Sequence, residues 1–150
     1  MSDNAYKVSV TWMQNREGTA QAQDVREQLF FSAPPEFGGQ PGLWSPETLL
    51  VLSAASCFLS TFLFFVEREK LTLIGYHSDA EGHLERVPGA GFRFAEIVLR
   101  PLVVVEGDEA VEVARRLLEK AERACIVANS LKVPVRVEAQ VEALAPALNG

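Results

Sequence analysis

The sequence predicts an α+β fold: antiparallel sheets packed around a long central helix and a second helix. Three observations carry that prediction. Residues 6–12, YKVSVTW, alternate, with Tyr6, Val8, Val10 and Trp12 on one face and Lys7, Ser9 and Thr11 on the other, the period of a strand. An uncharged run of 18 residues, 49–66, follows Ser45-Pro46-Glu47 and is too long for a strand. Val111, Ala114, Leu118, Ala121 and Cys125 recur at +3, +4, +3, +4, one apolar stripe of a helix.

The elements follow in order. After the first strand, MQNREG carries turn chemistry at Asn15 and Gly18, and TAQAQDVREQLFF reads as one or two return strands. Residues 32–42 hold three prolines and three glycines in eleven positions, which makes them a connecting loop. Ser45 is placed as the N-cap of the long helix, Pro46 at its first position and Glu47 at the positive end of its dipole. That helix is expected to run to about Lys70. LTLIGYHSDAEGHLER and GFRFAEIVLRPLVVVEG resume strand character, with Pro101 marking an edge or a bulge. Asp108 is the expected N-cap of the second helix and Asn129 its end. KVPVRVEAQVEAL alternates as a last strand. Sheet strands divided by helices in this order are α+β, and the whole of 1–150 reads as a single domain, a length that suits one core.

Composition narrows the function classes. There are 20 Asp and Glu against 14 Lys and Arg, net −6, so the basic face of a nucleic-acid binder is not expected. Two cysteines are too few for a secreted disulfide scaffold. MSDNAYKVSV has neither a basic nor an apolar leader region, and a cytoplasmic location is expected. The 18-residue apolar run reaches the lower limit for a membrane span. Ser53, Ser56, Ser60 and Thr61 interrupt it, however, and its flanks lack a positive-inside bias. The expectation is a helix buried inside protein, with no membrane partner, and Phe58, Phe62, Phe64 and Phe65 as core or dimer seam. His77 and His83 flank Asp79 and Glu81 in a strand, a pattern that a solvated strand face reproduces, and no metal is expected. No Cys-x-x-Cys, Walker loop, Gly-x-Gly-x-x-Gly or Gly-x-Ser-x-Gly motif occurs.

The cysteines carry the chemistry. Cys57 and Cys125 each sit among small residues: Ser53, Ala54, Ala55, Ser56 and Ser60 about the first, Ala121, Ala124 and Ala128 about the second. Such stripes permit a close helix crossing at the thiols. Two readings stay open on pattern alone, a working pair or two unrelated buried thiols. A reactive thiol needs a nearby cation or helix N-terminus. The uncharged run offers none, leaving Arg16, Arg26, Arg93, Arg100 and Arg123 as candidates.

SPETLLVLSAASCF resembles the nucleophile helix of the family of osmotically inducible protein C and organic hydroperoxide resistance proteins, including the Glu-to-Cys spacing of ten (57 − 47 = 10). EKAERACIVANSL resembles its second-cysteine helix, GAGFRFAEIVLRPLVV the strand between, and NREGT the place of its arginine. The resemblance covers roughly residues 6–142, with one departure: Ile126 follows Cys125 where the family often has proline.

The resemblance implies an intertwined homodimer and a peroxidase for organic hydroperoxides. In it, Cys57 is the peroxidatic thiolate and Cys125 the resolving thiol that closes a disulfide. Arg16 stabilises the thiolate, Glu47 orients Arg16, and an external dithiol of lipoyl or other type replaces any bound cofactor. Ten helical residues advance about 15 Å, so Glu47 and Cys57 of one helix are not expected to touch. If both serve one site, Glu47 comes from a second chain. Two other readings remain: a relative that binds a small apolar ligand without turnover, and a thiol hydrolase that uses Cys57 without Cys125.

Overall fold

The computed structural model describes residues 4–145. The chain divides into two compact units between Leu50 and Val51.

The first unit is a three-stranded antiparallel sheet in the order β1 (Val8–Gln14), β2 (Glu17–Ala22), β3 (Leu29–Ser32). The β1–β2 turn is tight enough to hold Asn15 at φ 46°, a conformation Asn tolerates better than most residues. The loop after β3 contains a 3-10 turn, Pro35–Phe37. The apolar row of β1 is not core in this chain: Tyr6, Val8, Val10 and Trp12 are all exposed.

Helix α1 spans Pro46–Glu69. Its start is as expected and more fully locked. The Ser45 Oγ accepts from the Thr48 N–H at 3.1 Å, and the Ser45 N–H donates to Thr48 Oγ1 at 2.9 Å. This is a reciprocal capping box with Thr in place of the usual Glu. Four residues of α1 are buried, Ala54, Phe58, Phe62 and Val66, a single i, i+4 stripe. The expected all-round burial is therefore not made by this chain alone. Leu52, Leu63 and Phe64 stand exposed, and by length and composition α1 can cross a membrane, with 22% of its apolar window buried.

The second unit continues from Val51. β4 (Leu73–Val87) and β5 (Gly91–Glu106) form a long antiparallel hairpin. Helix α2 (Glu109–Ala124), a short α3 (Ile126–Ser130), β6 (Val135–Val137) and β7 (Gln140–Leu144) follow. β5 buries Ile97, Leu99, Pro101, Val103 and Val105 on one face. α1 lies along β4, with the Phe62 ring 5.8 Å from Tyr76. At Gly82 there is no room for a Cβ: one would meet the Phe94 ring at 2.6 Å and Val51 Cγ2 at 2.8 Å.

Three expectations change here. The last strand does not extend an antiparallel sheet. β6 and β7 both pair parallel to β5 at one constant offset (135 − 97 = 38; 140 − 102 = 38), because α2 carries the chain back across the sheet. They are one line of strand interrupted opposite Arg100 and Pro101, where proline has no N–H to give. Pro101 thus marks a gap in its neighbour rather than an edge or a bulge in β5. Asp108 is the N-cap residue of α2 as expected, though without a side-chain cap hydrogen bond, but α2 stops at Ala124 instead of Asn129.

Candidate functional site

The stop at Ala124 makes the site. Cys125 leaves the helix in an extended conformation (φ −66°, ψ 114°), and α3 begins one residue later. A new helix start leaves its first N–H groups without intrahelical partners. Those of Ile126 and Val127 favour the charged form of Cys57, and those of Ala128 and Val127 favour that of Cys125. Cys57 approaches from the middle of α1, half-buried, while Cys125 is 1% exposed. Both are free thiols. The pair reading is therefore favoured: two cysteines 68 residues apart (125 − 57 = 68) influence each other's ionisation beside the opening turn of one short helix.

Their surroundings push the two thiols in opposite directions. Burial pushes Cys57 up, but the Val127 N–H, the Cys125 thiol, the Thr61 hydroxyl and the Ile126 N–H outweigh it, and Cys57 ends below the ordinary thiol value. Burial and the neighbouring Cys57 hold Cys125 above that value, against the N–H groups of Ala128 and Val127. The proton lost first belongs to the pair, and the negative charge settles on Cys57. A thiolate beside a protonated thiol is the arrangement for a nucleophile and a second, later-acting sulfur.

Backbone donors thus do work that the residues alone assigned to an arginine. Arg93 is held by Glu85 at 2.6 Å, and Arg100 is committed to Glu81 and to Glu138. These two candidates are spent elsewhere. Arg16 and Glu47 belong to the first unit. Arg16 is exposed in the β1–β2 turn, and its Nη1 donates to the Phe37 carbonyl at 3.0 Å. Glu47 lies in the first turn of α1, its Oε1 buried and without a hydrogen-bond partner among the described residues. The structure brings Cys57 and Cys125 together and makes no Arg16–Glu47 pair through that oxygen.

His77 pairs with Asp79 at 3.2 Å and His83 with Glu81 at 3.6 Å, each exposed. No group of three or more metal-ligating side chains occurs among the described residues. The sequence reading missed Thr61 and the amides of residues 126–127. Thr61 had a signal, a hydroxyl four residues after Cys57 in an apolar helix. The amides had none.

The chain has recognisable relatives. It is 27% identical over 147 residues to the uncharacterized protein YmaD of Bacillus subtilis (strain 168), spanning 95% of this chain and 97% of that one. An OsmC-like protein of unknown function from Vibrio cholerae superposes with a TM-score of 0.82 at 22% identity, over 93% of this chain and 100% of its own. An organic hydroperoxide resistance protein OsmC from Legionella pneumophila gives 0.74 at 23%, over 95% and 99%. Those two likenesses establish the fold. Residues 39–140 match the OsmC-like protein family, a span that includes both cysteines, and the chain is therefore a member of the OsmC-like family.

Proposed function

We propose that this protein is a thiol-dependent peroxidase that reduces organic hydroperoxides, working as a homodimer in the cytoplasm with an external dithiol as reductant. The reading is carried by two free thiols that influence each other, with surroundings that favour the thiolate at Cys57 and the thiol at Cys125. The Cys57 thiolate attacks the terminal oxygen of ROOH. The O–O bond breaks, the alkoxide takes a proton and leaves as ROH, and Cys57 becomes a sulfenic acid. The Cys125 sulfur then attacks Cys57, water leaves, and a disulfide forms. A dithiol of lipoyl or other type returns both thiols and is itself oxidised.

Arg16 is assigned to the peroxide and the thiolate, with Glu47 of the partner chain orienting it. The unpartnered Glu47 Oε1 supports this, since a buried carboxylate oxygen without a partner is costly. The exposed apolar side chains of β1 and α1 support a second chain as their cover. A structural relative named as an organic hydroperoxide resistance protein supports the substrate class.

The test is stoichiometric. One equivalent of tert-butyl hydroperoxide is added to reduced protein, and free thiols are counted. Loss of both thiols with an intramolecular disulfide is the expected result. In the Cys125→Ser variant a sulfenic acid is expected at Cys57, trappable by dimedone. Unchanged thiols would favour the ligand-binding reading.

A further inference from the structure

The loop between β3 and α1 is tightly built. The Ser32 N–H donates to the Trp44 carbonyl at 2.8 Å, which closes the two ends of the loop on each other. The Gln40 N–H donates to the Ser32 Oγ at 2.8 Å, and Ser32 is buried. Gly39 has no room for a side chain, since a Cβ would stand 1.6 Å from the Ala33 carbonyl oxygen. The Gly38 and Gly39 N–H groups donate to the Pro35 and Pro34 carbonyls at 3.0 and 3.1 Å. What this loop holds is Arg16. The Ala33 N–H donates to the Arg16 carbonyl at 3.3 Å, and the Arg16 Nη1 donates to the Phe37 carbonyl at 3.0 Å. The atoms nearest to where a Cβ of Gly38 would stand are Arg16 Nε, Cζ and Cδ, at 3.5, 3.7 and 3.9 Å. The guanidinium therefore lies on the bare face of Gly38.

We propose that residues 33–39 form a seat for Arg16, with Gly38 as the positioning residue whose left-handed backbone aims the Phe37 carbonyl at the guanidinium. Gly38 has φ 86° and ψ 16°, a conformation that glycine takes without steric cost. The peptide plane between residues 37 and 38 is rigid, and its tilt is set by ψ of the first and φ of the second. A residue that leaves positive φ must turn that plane and take the carbonyl off Nη1. The seat differs from the ties of Arg93 and Arg100, which end on carboxylates. A carbonyl is neutral, so it fixes the direction of the guanidinium and leaves its charge whole. It occupies one of the five donors of the guanidinium fork. The rest of the fork can face an anion, which is the use the proposed peroxidase makes of Arg16.

The inference rests on Arg16 as the cation of the proposed site, but the seat itself is read without any peroxide. Gly38→Ala adds one carbon at ordinary contact distance from Arg16 and disfavours positive φ. Gly38→Asn adds the same carbon and tolerates positive φ better than most residues. Modification of Arg16 by phenylglyoxal is timed by peptide mass, alongside a thermal melt. Arg26, exposed in the same unit, is the internal reference. Gly38→Ala is expected to speed Arg16 relative to Arg26 about three- to tenfold, the net worth of one hydrogen bond in water. Gly38→Asn is expected to react like the natural protein. For tert-butyl hydroperoxide, kcat/KM should fall in Gly38→Ala and be kept in Gly38→Asn. An Arg16 rate unchanged in Gly38→Ala overturns the proposal. So does a Gly38→Asn change as large as that of Gly38→Ala, which would trace the effect to the added carbon. A kcat/KM indifferent to Gly38→Ala would also overturn it, as a seat without a use in the reaction. A natural protein that turns over no hydroperoxide would count against the peroxidase, and the Arg16 rates would still decide the seat.

Discussion

Replacing Ile126 by proline tests the construction of the site with one residue. Proline in a helix interior costs about 3 kcal/mol or more, but at the first helical position its missing N–H had no intrahelical partner. Ile126 occupies that first position of α3. The residue before a proline must be extended, and Cys125 already is, at ψ 114°. Ile126 is 74% exposed, so about a quarter of its side chain is removed from water. Full burial of such a side chain is worth about 1.5–3 kcal/mol, which puts the loss at roughly 0.4–0.8 kcal/mol. A compatible proline returns about 0.4–1 kcal/mol by restricting the unfolded chain.

The two nearly cancel. At about 2–4 °C per kcal/mol for a chain of this size, Tm should stay within roughly 2 °C of the natural protein by calorimetry. The thiol should respond although the fold does not. Cys57 loses the Ile126 N–H that helps hold its charge, so the pH midpoint of its alkylation should rise, with the Val127 N–H left in place. A Tm loss of more than about 5 °C would refute the extended geometry at Cys125. A midpoint that is unchanged or lower would refute the assignment of the Ile126 amide to the sulfur.

Other consequences follow from single contacts. Ser45→Ala removes one half of the capping box at α1 and should cost about 1 kcal/mol, read as a shifted urea midpoint at constant m. Gly82→Ala forces a methyl against the Phe94 ring and Val51 and should cost about 1–3 kcal/mol by overpacking, so a neutral result would contradict the packing of α1 on β4. Because backbone amides already favour the Cys57 thiolate, Arg16→Ala should depress hydroperoxide turnover by a larger factor than it slows Cys57 alkylation at neutral pH, and an equal loss in both would return the activation to arginine. Light scattering at micromolar concentration should show a dimer, and a monomer would remove the partner-chain role of Glu47.

Much of this was readable in the residues. Ser45-Pro46-Glu47 announces a helix start because each side chain suits its position locally. The strands of the β4–β5 hairpin announce themselves by composition and length. The break at Cys125 did not, because the stripe Val111 to Cys125 keeps helical period through the very residue that leaves the helix. An apolar period reports which face is covered and is blind to one residue changing its ψ. The parallel addition of β6 and β7 was equally hidden, since alternation is the same whichever way a strand runs.

The sequence by itself determined the α+β class, the order of its elements, the capped long helix and the two cysteines as the residues worth asking about. Local propensity, capping and periodicity act over a few residues, and they are written in the chain. Only the tertiary structure decided that the two thiols influence each other, that the N–H groups of residues 126 and 127 favour the Cys57 thiolate, and that Arg93 and Arg100 are engaged elsewhere. Those facts depend on which distant segments pack together. A backbone amide carries no residue identity that a sequence could reveal.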